Sequence, residues 1–153
     1  MKRKTIIKIF IVIAWASIIF LFSNQKSKES LDLSKDVLYK IVEVVTNKKL
    51  NDSEKKEIST KYTFIIRKTA HFFLYFVLAL LLFILLKDYI KINYVLFATC
   101  IIFACIYSIT DEVHQLFIDG RSAMFNDVLL DTSAAMISTY ISYIRAKKKT
   151  ILN

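Results

Sequence analysis

Long, nearly unbroken apolar runs alternate along this chain with polar connections. Ile6–Phe22 carries one charge, Lys8; Ala70–Leu86 contains one ionisable residue, His71; Tyr94–Ile109 is uncharged; and Val128–Ile144 holds one acid, Asp131. A helix of about 17 to 25 mostly apolar residues, rising about 1.5 Å per residue, crosses a hydrocarbon core about 30 Å thick. The pattern therefore predicts four membrane spans at about 6–22, 70–86, 94–109 and 128–144, each borrowing a turn from its flanks. Between the first two lies a long connection, 23–69. From Leu31 to Val45, positions 31, 34, 37, 38, 41, 42, 44 and 45 recur at helical spacing, while Asp32, Lys35, Asp36, Lys40 and Glu43 fill the other faces. An amphipathic helix lying on the membrane or covering the mouth of the bundle fits this pattern. Asn51 followed by Glu54 reads as a capping box opening a second short helix. The fold class is all-α: a single domain over 1–153, an integral membrane four-helix bundle with an amphipathic helical first connection.

Composition sharpens this picture. One Gly and no Pro among 153 residues exclude sandwiches, barrels, doubly wound sheets and Gly-rich phosphate loops, all of which need such residues at their turns. The first run has a rival reading as a signal peptide, with Lys2, Arg3 and Lys4 as its basic start and Ala14–Trp15–Ala16 as a cleavage site. Against it, Ser17–Phe22 continues the apolar run past the cut. Lys and Arg in short flanks set orientation: Lys2, Arg3 and Lys4, then Lys87 and Lys91, then Arg145, Lys147, Lys148 and Lys149 predict both termini on the cytoplasmic side. The first connection, with 11 basic and 7 acidic residues, runs against this bias but approaches the length at which loop charge counts for less. The formal charge of +9 is explained by these flanks and by anionic headgroups. No basic-and-aromatic recognition pattern is present, so nucleic acid is excluded as a partner and membrane lipids are expected. Cys100 and Cys105, five apart on a helix, read as packing residues.

Charged groups in or beside spans are costly and mark functional candidates. By parity, the end of span one, the start of span two, the end of span three and the start of span four meet one membrane face. Those places hold Ser23, Asn24 and Gln25; Lys68 and His71; Asp111, Glu112, His114 and Gln115; and Gly120, Arg121, Asp127 and Asp131. One polar mouth on the outer side follows. Lys68, His71 and Tyr75 share a helix face, as do Asp111, His114 and Gln115, with Glu112 pointing elsewhere, and Asp127 with Asp131. Gly120 falls where a turn needs positive φ.

Three chemistries compete for this mouth. An anionic headgroup can be held by Arg121 and Lys68. A zinc or manganese ion can be held by His71, His114, Asp111 and Asp127, although no metal-binding spacing supports this. A structural cluster can pair Lys68 with Asp131 and Arg121 with the acids. If the mouth is catalytic, His71, Asp111 and His114 are the candidates, with His114 or Asp111 as general base. No nucleophile motif accompanies them.

At these residues the sequence resembles the VanZ-like family of small membrane proteins. The matching segments are FSNQ at 22–25, KTAHFFLY at 68–75 and YSITDEVHQLFIDGRSAMFNDVLLD at 107–131. The resemblance implies an integral membrane protein of the Gram-positive cell envelope, in a family named for a member linked to low-level teicoplanin resistance. Its motif residues fall here on Lys68, His71, Tyr75, Asp111, Glu112, His114, Gln115, Gly120, Arg121 and Asp127. The chain departs from the family pattern at Asp119, where Pro is common, at Asp131, where Asn is usual, and at Ala134, near a usual Gly. The reading that results is a polar pocket that binds or modifies an anionic envelope component. A membrane lipid, a lipid-linked cell-wall precursor or a lipoglycopeptide would be the partner, and glycopeptide or antimicrobial-peptide tolerance the outcome. Lys68, Tyr75, Glu112, Gln115, Arg121, Asp127 and Asp131 would line the pocket. The alternative is a non-enzymatic membrane subunit whose ion pairs are structural.

Overall fold

The computed structural model describes residues 3–152, with side chains through Lys148; the Lys2 and Lys149 side chains used in the orientation argument lie outside the described residues. Every regular element among these residues is a helix: α1 (Arg3–Ser23), α2 (Ser27–Thr46), α3 (Asp52–Leu86), α4 (Tyr94–Gln115) and α5 (Phe125–Leu152). Spans one and three correspond to α1 and α4, and the amphipathic segment to α2. The capping box is present as expected, with Asn51 accepting from the Glu54 N–H and Glu54 from the Asn51 N–H. The helix it opens is not short, however. No Gly or Pro stands between Asp52 and Leu86 to break the ladder, so the expected second short helix and span two form one 35-residue helix.

Three helices, α1, α3 and α4, are long and apolar enough to cross a membrane. The protein is a membrane protein whose large side chains face outward; Phe10 of α1 is 69% exposed and Phe73 of α3 58%. The fourth expected span, 128–144, lies within α5 and is not among the three. Packing supplies the reason. Asp131, Ala134, Ala135, Ser138 and Thr139 form a buried stripe along α5, at i, i+3, i+4, i+7 and i+8, and α5 packs most extensively on α3 and α4. Small side chains let helix backbones approach closely where lipid supplies no hydrophobic driving force between helices. Ala79, Ala104 and Ala135 meet at one such approach. The face of α5 turned to α3 and α4 therefore carries little apolar bulk.

Helix α1 sits at the periphery. Trp15 Nε1 donates to the Leu74 carbonyl at 2.9 Å and the Tyr107 hydroxyl to the Ala16 carbonyl at 2.6 Å. The stretch that resembles a cleavage site thus joins α1 to α3 and α4. At its other end Lys8 pairs with Asp88 and donates to the Ile84 carbonyl, which holds the exposed Asp88 carboxyl below its usual pKa. Buried Cys100 packs with Phe83 and Leu96, and both cysteines are free thiols.

Candidate functional site

The ends of α1, α4 and the start of α5 converge with the middle of α3 at one pole of the bundle. Gly120 makes this convergence possible. Its φ of +73° lies in the left-handed region, and a Cβ there would stand 3.2 Å from the Ser27 Cβ. At the same crossing the Ser27 N–H donates to the Asp119 carbonyl at 3.3 Å. The α4–α5 connection is thereby pinned against the junction of α1 and α2.

Two ladders join the helices below this crossing. On α3, Lys68 forms an ion pair with Asp127 of α5, and three residues on, His71 Nδ1 stands 3.9 Å from Asp131 Oδ1. The expected pairing of Lys68 with Asp131 is not what forms. Asp131 lies one turn deeper than Asp127, opposite His71, and accepts the Ser108 hydroxyl at 2.8 Å through its other oxygen. Tyr75, fully buried, continues the α3 face beside Tyr107. On α4, Gln115 donates to both Asp111, at 3.2 Å, and Glu112, at 3.3 Å. Glu112 also accepts the Met124 N–H at 2.8 Å, which fastens the connection to α4. Glu112 does not point away from Asp111 and Gln115, because one buried amide bridges both carboxylates.

His114 takes a separate position. Its ring stacks on Phe20 at 4.7 Å and its Nε2 lies 3.3 Å from Asn24 Oδ1, so it faces α1 while Asp111 and Gln115 turn inward. Among the described residues no three of His, Cys, Asp and Glu stand close enough to share a metal ion. His71 and His114, the two imidazoles of the metal expectation, point to different neighbours.

Arg121 is held by backbone: its Nε donates to the Gln25 carbonyl at 2.9 Å and Nη2 to the Phe22 carbonyl at 3.2 Å. Among the described residues it forms no ion pair, and its buried Nη1 has no hydrogen-bond partner. Burial, and after it the neighbouring Arg67 guanidinium, push its pKa down, against the pull of Asp111 and Glu112; a guanidinium remains charged regardless. Arg67, Lys68, His71, Arg121 and Asp127 line a cavity of about 210 Å³. Lys68 is already paired there with Asp127, so the lining cations that form no ion pair among the described residues are the two arginines. Arg67 lies just outside the matching segment at 68–75, yet it stands at i, i+4 to His71 on α3, a spacing that points it toward the same mouth. Buried Ser108, the acceptor-seeking partner of Asp131, was likewise readable only as a helix hydroxyl.

A family model described as VanZ/LLP1 matches residues 8–146, nearly the whole chain. No curated protein and no solved structure matches it.

Proposed function

The chain belongs to the VanZ/LLP1 family, and from that premise we propose that it recognises an anionic group of a cell-envelope lipid or lipid-linked cell-wall precursor in its polar pocket. In this reading α5 crosses the membrane with α1, α3 and α4, both termini are cytoplasmic and the pocket opens on the outer face. Occupying or modifying the envelope component lowers susceptibility to teicoplanin or cationic peptides. The observation that carries the reading is Arg121, a guanidinium fixed by two carbonyls, lacking an acidic partner and facing a cavity beside a second arginine. A preorganised guanidinium is the side chain best suited to a phosphate or carboxylate. Any proton transfer in the pocket runs through His71, the imidazole that lines it, with Asp131 as the carboxylate facing it.

The test is teicoplanin and vancomycin susceptibility in a sensitive Gram-positive host expressing the chain, with Arg121→Ala at matched membrane abundance. Raised teicoplanin tolerance that Arg121→Ala abolishes is the expected result; tolerance unchanged by that substitution refutes the assignment. A second reading, a non-enzymatic partner subunit with structural ion pairs, is favoured by the Lys68–Asp127 pair and the Gln115 bridge. It differs in expecting abundance itself to fall on substitution.

A further inference from the structure

The polar cavity continues into an apolar groove of about 430 Å³ running between α1, α2 and α3. The two spaces share Arg67, His71 and Arg121. Beyond that junction the groove walls are Phe22 from α1, Leu33 and Val37 from α2, and Phe73 and Leu74 from α3. Its chemistry thus changes along its length, from two arginines outside any ion pair among the described residues to aliphatic and aromatic carbon.

The exposed face of helix α2 suits the groove to lipid. Leu38 is its buried residue, whereas Leu33, Val37, Ile41 and Val44 are exposed along one stripe at i, i+4, i+8 and i+11. A helix covering the bundle in water would turn that stripe inward. Here it borders the groove and the bundle exterior, a placement that is favourable only against hydrocarbon. The polar cavity alone lies below the about 300 to 1,000 Å³ typical of a whole ligand site; it is large enough for a headgroup, not for an amphiphile.

We propose that the cavity and groove are one site for an anionic lipid, with the headgroup phosphate on Arg121 and Arg67 and an acyl chain along the groove between α2 and α3. This rests on the anionic-pocket reading and adds the chain subsite to it. A soluble anion would leave the groove walls without a partner. An apolar protein segment would leave the arginines without one.

The experiment measures lipid retention by native mass spectrometry of the full chain in detergent. The probes are long-chain phosphatidylglycerol, long-chain phosphatidylcholine and, as a competing headgroup without chains, glycerol 1-phosphate. Wild type is expected to retain phosphatidylglycerol over phosphatidylcholine, with glycerol 1-phosphate competing. Val37→Trp, which fills the groove from a position 41% exposed, should weaken phosphatidylglycerol about tenfold, equivalent to about 1.4 kcal/mol. It should leave the glycerol 1-phosphate interaction unchanged. Leu33→Trp repeats the test from the next turn. Arg121→Ala should weaken both. If both tryptophan variants retain phosphatidylglycerol like wild type while Arg121→Ala does not, the chain subsite is overturned and the headgroup reading stands. Equal retention of the two long-chain lipids, indifferent to Arg121→Ala, overturns both.

Discussion

The Lys68–Asp127 pair decides how the cations of the pocket are divided between structure and ligand, and a double-mutant cycle measures it. Removing one partner of a buried pair costs about 3 to 5 kcal/mol, because the survivor is left charged and unpaired, whereas an exposed pair is worth about 0.2 to 1 kcal/mol. Here the two side chains are 22% and 13% exposed, and Lys68 also lies over the Phe64 ring. Lys68→Met and Asp127→Leu should therefore each destabilise the protein by about 2 kcal/mol. Independent sites would make the double variant lose about 4 kcal/mol. Replacing both partners leaves no orphaned charge, and the remaining cost should be about 1 kcal/mol, mostly the acid removed from the first turn of α5. The assay is unfolding by sodium dodecyl sulfate in mixed micelles. It can be followed through Trp15, the one tryptophan, whose ring nitrogen is bonded to α3. If the double variant loses as much as the sum of the singles, the clasp is not closed. Lys68 is then a free cation, and the anion contact passes from Arg121 to it.

Two further predictions use the same unfolding assay. Gly120→Ala should cost about 1 to 2 kcal/mol from the left-handed φ, with the close Ser27 Cβ adding to it, and no loss would show that the connection is free to rearrange. Asp131→Asn keeps an acceptor for Ser108 and removes a fully buried ionisable group, so stability should hold or rise by about 1 kcal/mol, whereas Asp131→Ala should lose about 2 kcal/mol; equal losses would mean the carboxyl group itself is required.

Which residues meet at the polar pole was legible from helix parity alone, since a span's sidedness follows from counting crossings. So were the Asn51–Glu54 cap, the amphipathic α2 and the positive φ of Gly120, each a local property of a few residues. Which partner each charged residue takes was not. Lys68 and Asp131 read as partners because both lie near the mouth, yet the axial offset of α3 against α5 sets Lys68 opposite Asp127 and His71 opposite Asp131. His114 shares a helical repeat with Asp111, but α1 passes close enough to draw it to Asn24 and Phe20. The limit of hydropathy reading is clearest in α5, whose central stripe is small and polar because it is surrounded by protein.

The unbroken course of α3 has a consequence for how chain length can vary. Its first half carries the face that α2 rests on, with Lys55 over the Tyr39 ring, and its second half carries Lys68, His71 and Tyr75. A single residue inserted near 57–62 would turn one half against the other by about 100°. Seven residues, close to two full turns, would leave the halves about 20° out of phase. Since Ser27 at the head of α2 is separately bonded to Asp119, the rotation cannot be absorbed by swinging α2 away. Insertions are cheap in the turn at 47–51, but within α3 they are tolerated only in multiples that preserve helical phase.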